Sequence, residues 1–329
     1  MALDPAVAAV RLAVRRGLLD VGDQPVLVAC SGGADSLALV AAATFEARSR
    51  PWQVVGVTVD HGLQAGSAEH SRRVLGQMAG LGVDETVSVR VEVTSRGQGP
   101  EAAARDARYA VLEEVAQRFG SQVVLLGHTL DDQAETVLLG LTRGSGARAL
   151  AGMRRGFTPF RRPLLDVTRA QTEQACRAQG LEWWSDPHND DPRFTRTRVR
   201  HRVLPVLEEE LGPGVAATLA RTADQLREDV ATLDAIAGAA FTAVRRPDGY
   251  DTEELGALLD AVRSRVLRLA ALEAGCPGSE LFRAHVAALV ELTEGTPGRH
   301  AGRQVQLPGH VTARREGNLL TFGPTAVSG

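Results

Sequence analysis

The sequence contains no lysine, so the 37 residues counted as lysine or arginine are all arginines. A P-loop nucleotide site needs a lysine after its last glycine, and Schiff-base or pyridoxal chemistry needs a lysine amine. The absence therefore excludes P-loop ATPases, lysine-dependent kinases and Schiff-base enzymes. The three cysteines, Cys30, Cys176 and Cys276, show neither a CxxC pair nor zinc-ligand spacing. Their odd number and wide separation favour a reducing cytoplasm over a disulfide framework.

The chain also lacks a strong charge of one sign and a long apolar run. Its formal net charge is −3, so attraction for nucleic acid has to come from a local cluster of arginines. No run is long enough to span a membrane, and no charged leader precedes an apolar segment at the N-terminus. We expect a cytoplasmic protein without a membrane partner. With 329 residues, the chain is long enough for two domains.

The most informative stretch is residues 26–36, where a valine-rich apolar run leads into Ser-Gly-Gly-Ala-Asp-Ser. A strand that passes through glycines into a helix N-terminus forms a phosphate site, because the backbone can approach an anion and the first N–H groups point at it. Serine hydroxyls add donors, and Asp35 is a candidate metal ligand. The alternative is an ordinary turn with a serine cap. The candidate ATP-binding residues here are Ser31, Gly32, Gly33, Ala34, Asp35 and Ser36.

Strand and helix patterns alternate through the first half of the chain, which predicts an α/β fold with a doubly wound parallel sheet. The predicted strands are residues 26–30, 53–60, 85–93 and 122–126, and the predicted helices are residues 34–48, 67–81, 100–119 and 130–141. Ligands bind at the carboxyl ends of strands in such sheets. Several polar residues are therefore expected along one edge of the sheet.

Two of these polar residues, Asp60 and His61, directly follow the second predicted strand. They can contact a nucleotide or simply form a polar turn. Arg105 lies on the helix predicted for residues 100–119. It can neutralise a phosphate or a leaving group, although a solvated arginine face fits its spacing as well.

The fourth predicted strand is followed by His128 and then by Asp131 and Asp132 in the first turn of a helix. Acidic residues in a first turn are common as caps. Adjacent carboxylates at the same edge as Asp35 are also a plausible Mg²⁺ site for ATP phosphates. The candidate metal ligands are therefore Asp35, Asp131 and Asp132.

Arginines cluster in two places that can contact RNA. Arg143 and Arg148 flank a Gly-Ser-Gly turn, which is a candidate for a second anion clamp or an RNA-facing loop. Further along, arginines recur every two or three residues, a density that can neutralise several backbone phosphates. A solvated helix face is the alternative. The candidate tRNA-binding residues are Arg143, Arg148, Arg196, Arg198 and Arg200.

The Ser-Gly-Gly-x-Asp-Ser pattern resembles the loop of the N-type ATP pyrophosphatases, which cleave ATP between its α and β phosphates and adenylate a substrate oxygen. Other stretches resemble the tRNA(Ile)-lysidine synthetase family, and together they cover most of residues 25–210. These stretches are 59–63 (VDHGL), 128–136 (HTLDDQAET), 143–146 (RGSG), 150–153 (LAGM), 162–165 (RPLL), 186–189 (DPHN), 194–198 (FTRTR) and 204–207 (LPVL). The resemblance implies a sheet of the adenine nucleotide alpha hydrolase-like type. Gln64 and Thr197 depart from residues that are frequent in the family.

The resemblance also implies a reaction. ATP adenylates the oxygen at carbon 2 of the wobble cytidine in tRNA(Ile) with a CAU anticodon, and free lysine then displaces AMP to give lysidine, which switches decoding from methionine to isoleucine. In this mechanism Arg105 or His128 stabilises charge on the α phosphate. Asp132 and Glu135 are candidates, not separable by sequence, for the carboxylate that receives the lysine amine. The candidate catalytic residues are Asp35, Arg105, His128 and Asp132.

The second half of the chain loses the strand alternation. Helices are predicted at residues 168–179, 215–241, 253–274 and 279–294, followed by short β segments between residues 304 and 322. We therefore expect a catalytic domain at residues 1–208 and a smaller, mainly helical domain at residues 209–329. Docking of tRNA to this second domain follows from the resemblance alone.

Three alternatives remain open at this point. A tRNA thiolase of the same superfamily usually needs paired cysteines, which are absent. An amidotransferase-type synthetase would need a glutaminase partner. A non-catalytic ATP-binding regulator would bind ATP without releasing pyrophosphate in response to tRNA. The sequence also leaves open whether the chain forms a homodimer.

Overall fold

A computed structural model describes residues 3–60, 66–91, 100–143, 146–185, 191–294 and 304–325. The chain divides into two compact units, Met1–Asp224 and Gln225–Gly329. Among the described residues, no helix combines the length and the apolar character needed to cross a membrane.

The first unit contains a six-stranded sheet and most of the helices. Its strands are β1 (Val26–Ala29), β2 (Val54–Asp60), β3 (Glu85–Arg90), β4 (Val124–Leu125), β5 (Gly156–Phe157) and β6 (Phe160–Arg161). Its helices are α1 (Pro5–Gly17), α2 (Ala34–Ala47), α3 (Ser67–Gly80), α4 (Pro100–Arg118), α5 (Leu130–Arg143), α6 (Ala147–Leu150), α7 (Arg169–Ala178), α8 (Thr195–Arg198) and α9 (Leu204–Glu210). The strand order is β3-β2-β1-β4-β6-β5, and every pair is parallel except the β5–β6 hairpin.

Helices cover both faces of this sheet. Val26 and Val28 of β1 belong to a core shared with α1, α2, α3 and α7, whereas Leu27 belongs to a second core beneath α4. Because successive side chains of a strand point to opposite faces, a strand buried on both sides has to be apolar at every position. The predicted doubly wound parallel sheet is confirmed.

Helix α10 (Val215–Ala243) runs across the boundary between the two units, and the second unit continues from there. Its elements are β7 (Arg245–Arg246), β8 (Gly249–Asp251), α11 (Thr252–Ala257), α12 (Asp260–Glu273), α13 (Arg283–Thr293), β9 (Gln304–Leu307), β10 (Val311–Glu316) and β11 (Leu319–Pro324). The five strands form an antiparallel sheet in the order β7-β8-β11-β10-β9. The predicted β segments at the end of the chain are confirmed.

Two helix predictions in this unit are wrong. The helix expected at residues 253–274 is two helices, because Leu258 and Leu259 adopt extended backbone angles between α11 and α12. Neither glycine nor proline occupies this break. Leu255 and Val262 on either side of it are buried in the same core, so packing decides the break and local propensity does not. The helix expected from residue 279 begins at Arg283.

Candidate functional site

The loop between β1 and α2 has a backbone that only glycine can supply. Gly32 has φ +83°, and a Cβ atom built there would lie 2.6 Å from Cγ2 of Val74. Both the left-handed conformation and the close contact exclude a side chain at this position. Gly33 differs, since its φ of −77° suits any residue and it occupies the N-cap position of α2. Ala34 follows as the first, buried residue of that helix.

The two serines of the loop bind each other and the loop backbone. The hydroxyl of Ser36 donates to the carbonyl oxygen of Gly33 at 2.9 Å and accepts from the N–H of Ser31 at 3.2 Å. The Oγ atoms of Ser31 and Ser36 lie 3.4 Å apart. Hydrogen bonds of the two serine side chains therefore hold the loop together at the start of α2.

The outer side of the loop is held by two residues that sequence reasoning missed. Nε2 of His70, on α3, donates to the carbonyl oxygen of Ser31 at 2.9 Å. The backbone N–H of Trp184 donates to the carbonyl oxygen of Gly32 at 3.0 Å. The His70 and Trp184 rings lie against each other with centroids 4.0 Å apart. No local pattern in the sequence marks His70 or Trp184 as a site residue.

Asp35 lies in the first turn of α2 and faces α7. The hydroxyl of Thr172 donates to its Oδ1, and Nε of Arg169 lies 3.7 Å from its Oδ2. Burial raises the pKa of Asp35 to about 6, although Thr172 and Arg169 act in the opposite direction. This carboxyl therefore titrates near neutral pH, which is unusual for an aspartate and typical of functional sites.

Next to Asp35, two carboxylates of α5 form ion pairs with three arginines; we call Asp132, Glu135, Arg169, Arg196 and Arg200 the ion-pair cluster. Glu135 is fully buried, and its carboxylate lies 2.7 Å from Nε of both Arg196 and Arg200 and 3.5 Å from Nη1 of Arg169. Oδ1 of Asp132 lies 3.1–3.2 Å from Nη2 of all three arginines. Alternating signs in one buried cluster allow every charge to have a partner.

The charge state of Asp132 follows from this cluster. Burial alone would raise the pKa of Asp132, but the charges of Arg169 and Arg196 and the N–H of Thr129 outweigh it and lower the pKa to about 2. Oδ2 of Asp132 also accepts from the N–H and hydroxyl of Thr129, at 2.9 and 3.0 Å. Asp132 is therefore ionised at neutral pH.

The three candidate magnesium ligands do not fit a shared Mg²⁺ site in this arrangement. Both oxygens of Asp132 are used by the donors just described, and Oδ2 of Asp131 accepts from the backbone N–H of Arg169 at 2.8 Å. Asp131 thus binds a backbone N–H group at the N-terminus of α7. Within the part of the chain that the structure describes, no group of three or more His, Cys, Asp or Glu side chains is arranged to hold a metal ion. Magnesium stays a prediction.

His128 follows β4, at the same edge of the sheet as the glycine loop. Burial lowers the pKa of His128 to about 4, and the positive charges of Arg162, Arg196 and Arg105 also lower it. His128 is therefore neutral at neutral pH. Its Nδ1 is buried and has no hydrogen-bond partner among the described residues.

Arg105 is exposed on α4, where its guanidinium lies near Tyr109. Arg162, which the sequence does not single out as a site residue, is buried. Its Nη2 donates to the hydroxyl of Tyr109 at 2.8 Å, and its Nη1 donates to the carbonyl oxygen of Arg154 at 2.7 Å. Arg162 therefore brings a fixed positive charge close to His128.

The remaining predicted residues are spread over the first unit. Asp60 is buried at the end of β2, and His61 lies outside the described residues. Arg148 is exposed on α6, and Arg143 is the last residue of α5. Arg198 donates to the carbonyl oxygens of Pro192 and Arg193 at 2.7 and 3.0 Å, so it binds its own segment.

A cavity of about 190 Å³ opens beside the ion-pair cluster. Its lining includes Asp131, Glu135 and Glu208 as acids and Arg169 and Arg200 as bases. Carboxylates and guanidinium groups therefore share one small space, in which Glu135 is paired with Arg169 and Arg200.

Known proteins match both units. Residues 9–207 match the family model described as a PP-loop domain, and residues 251–321 match the TilS substrate binding domain. A tRNA(Ile)-lysidine synthase of Streptomyces coelicolor is 48% identical over 349 residues, covering 97% of this chain and 98% of the relative. One of Thermobifida fusca is 52% identical over 319 residues, covering 96% of this chain and 97% of the relative. The chain belongs to the tRNA(Ile)-lysidine synthase family.

This membership confirms the predicted family, with its PP-loop and ATP use, and the prediction of a ligase-type, tRNA-modifying enzyme. A solved structure adds the fold alone. The U34-tRNA thiolase NcsA from Methanococcus maripaludis, whose structure includes a [4Fe-4S] cluster, has a TM-score of 0.58 and 19% identity. The match covers 68% of this chain and 80% of that chain. The family match disfavours the thiolase alternative, and the three cysteines of this chain are free and buried.

Proposed function

We propose that this chain ligates free lysine to carbon 2 of the wobble cytidine in CAU-anticodon tRNA(Ile), with ATP as co-substrate and AMP and pyrophosphate as products. One observation carries the proposal: a preformed Ser-Gly-Gly-Ala-Asp-Ser loop in a chain about half identical, over nearly its whole length, to tRNA(Ile)-lysidine synthases. The second unit supports a tRNA substrate, because it contains the TilS substrate binding domain.

In the first step, the cytidine O2 attacks the α phosphate of ATP and pyrophosphate leaves. The backbone at Gly32 and Gly33 and the N-terminus of α2 favour binding of the phosphates. His128 is neutral, so it offers one N–H to an anion and adds no full charge. Arg105 and the buried Arg162 supply positive charge near it, which stabilises the negative charge on the α phosphate.

In the second step, the lysine amine forms a bond to carbon 2 while the bond between carbon 2 and O2 breaks, and AMP leaves with O2 as one of its phosphate oxygens. The amine has to lose a proton before it attacks. Asp132 and Glu135 are the proposed carboxylates that receive the ammonium group, and each has to exchange an arginine contact for it. Glu135 lines the cavity beside the ion-pair cluster, which supports its part in this assignment. Arg169 and Arg200 line the same cavity and can bind the carboxylate of lysine.

Several finer points of the function remain proposals. The proposed tRNA contacts include Arg143, Arg148 and Arg198, whereas Arg196 and Arg200 contact the carboxylates of the ion-pair cluster. Magnesium as a companion of ATP, a cytoplasmic location and the domain boundary at residue 208 are also proposals. A homodimer is a further proposal.

The test is incubation of the protein with ATP, radiolabelled lysine and unmodified tRNA(Ile) with a CAU anticodon. We expect label to enter tRNA(Ile) together with release of AMP and pyrophosphate. Initiator and elongator tRNA(Met) are the controls, since they share the anticodon. Failure to label tRNA(Ile), or equal labelling of tRNA(Met), would contradict the proposed specificity.

A further inference from the structure

The two glycines of the phosphate loop create a problem that the rest of the loop does not solve. Glycine adopts left-handed and right-handed backbone conformations with similar ease, so the peptide units at Gly32 and Gly33 can rotate. A rotated peptide turns its carbonyl oxygen, which carries a partial negative charge, to where its N–H group was. At a site for a polyanion, this exchange replaces attraction by repulsion.

Two contacts from outside the loop oppose this rotation. The carbonyl oxygen of Ser31 accepts from Nε2 of His70 at 2.9 Å, and the carbonyl oxygen of Gly32 accepts from the N–H of Trp184 at 3.0 Å. In a planar trans peptide, the C=O and N–H groups point in opposite directions. Holding these two oxygens on the outer side therefore turns the N–H groups of Gly32 and Gly33 away from α3 and Trp184.

The neighbours of His70 fix both the orientation of its ring and its hydrogen bond to Ser31. Because a carbonyl oxygen only accepts, Nε2 of His70 has to carry the proton. The ring lies against Trp184, and a Cβ atom at Gly32 would lie 3.0 Å from its Cε1. Nδ1 of His70 is buried and has no hydrogen-bond partner among the described residues. A buried ring nitrogen without a hydrogen-bond partner is unfavourable, so the remaining contacts of His70 have to keep its ring in this position.

We propose that His70 and Trp184 are positioning residues that keep the carbonyl oxygens of Ser31 and Gly32 out of the ATP phosphate site. His70 acts through the loop backbone, and the Trp184 ring acts by orienting His70. The inference rests on ATP binding at this loop, as proposed above. It adds that contacts from α3 and Trp184 decide whether the N–H groups or the carbonyl oxygens of the loop face the phosphates. It connects α3 and the segment around Trp184 to affinity for ATP.

Two substitutions separate the hydrogen bond from the packing. His70→Gln keeps an amide nitrogen at the same number of bonds from the backbone as Nε2, but it loses the ring. His70→Leu keeps an apolar side chain of substantial volume against Trp184, but it loses the donor. We expect His70→Leu to weaken binding of a non-hydrolysable ATP analogue about tenfold. His70→Gln should stay within about threefold of the unmodified protein.

The measurement is calorimetric titration of the full chain with the analogue, alongside the melting temperature and the KM values for ATP and lysine. Arg73→Ala, on an exposed position of the same helix, is the matched control and should leave affinity for the analogue unchanged. Trp184→Ala should weaken binding severalfold. Its combination with His70→Leu should weaken binding less than the product of the single effects, because the ring acts through His70.

Unchanged affinity for the analogue in folded His70→Leu would overturn the proposal. Equal losses in His70→Leu and His70→Gln, or a parallel rise of the KM values for ATP and lysine, would assign a purely structural role instead. Binding of the analogue needs neither lysine nor tRNA. A chain that binds it normally but forms no lysidine would therefore contradict the proposed function and leave this inference standing.

Discussion

Asp35 shows at the scale of a single residue how a functional group can oppose folding. Its pKa is raised by burial from 3.8 to about 6. A raised pKa means that the stabilising effect of the protonated carboxyl is complete below the unfolded value and is lost as the pH rises through about 6. At neutral pH the ionised Asp35 therefore lowers the free energy of unfolding.

We expect Asp35→Asn to raise the free energy of unfolding at about pH 7 by ~1–3 kcal/mol, because a neutral amide replaces the buried charge. The gain should vanish near pH 4, where Asp35 of the unmodified protein is protonated in the folded state. Urea denaturation at both pH values measures this, and lysidine formation should be lost. Asp23→Asn, on an exposed residue, is the control. A loss of stability at neutral pH would contradict the expectation.

Arginines that the sequence predicts as tRNA contacts have different surroundings in the structure. Arg200 donates from Nε to the buried Glu135 at 2.7 Å, whereas Arg148 is exposed on α6. Arg200→Ala leaves buried carboxylates with less positive charge and should lower the free energy of unfolding by about 3–5 kcal/mol. Arg148→Ala should change it by less than about 0.5 kcal/mol and weaken tRNA binding instead. Thermal unfolding and filter binding of tRNA(Ile) compare the Arg200→Ala and Arg148→Ala variants. An equal loss of stability in the two variants would contradict the expectation.

At the scale of an element, the loop between β1 and α2 contains two glycines with different roles. Gly32→Ala introduces a Cβ atom into a left-handed residue 2.6 Å from Val74. The nearest atom to a Cβ at Gly33 is Oγ of Ser31, at 3.7 Å. We expect Gly32→Ala to lower the melting temperature and abolish ATP binding. Gly33→Ala should keep the melting temperature and lose ATP affinity, because its methyl group lies where phosphates approach the backbone.

Calorimetry and ATP titration of both variants test this contrast. Gly66→Ala, at another left-handed glycine with nothing within 4 Å of a built Cβ, controls for backbone strain alone. If Gly33→Ala bound ATP normally, the phosphates would not approach the loop at Gly33.

Elements also show how far sequence reasoning reaches. The alternation of apolar strands and amphipathic helices predicted the parallel sheet and the elements that flank the glycine loop. It missed the short β5–β6 and β7–β8 hairpins and joined α11 to α12. Strands of two or three residues are too short to show an alternating pattern, and the break at Leu258–Leu259 depends on packing.

At the scale of the whole molecule, the net charge of −3 disfavours binding of tRNA, so affinity has to come from local arginines. If Arg143, Arg148 and Arg198 are the contacts, the logarithm of the tRNA(Ile) association constant should fall against the logarithm of salt concentration with a slope of about −2 to −3. Participation of Arg196 and Arg200 would steepen the slope to about −4. Arg148→Ala should reduce it by about one unit. A slope near zero would contradict binding through phosphates.

The sequence by itself determined the doubly wound sheet, the phosphate loop and the family, because these depend on residue order and on patterns within about a dozen neighbours. Tertiary structure decided which side chains meet. It placed His70 and Trp184 on the loop, and it turned Arg196 and Arg200 toward Asp132 and Glu135. Residues far apart in the chain leave no local pattern when they pair. An arginine-rich segment therefore predicts a basic surface even where its arginines form ion pairs with buried carboxylates.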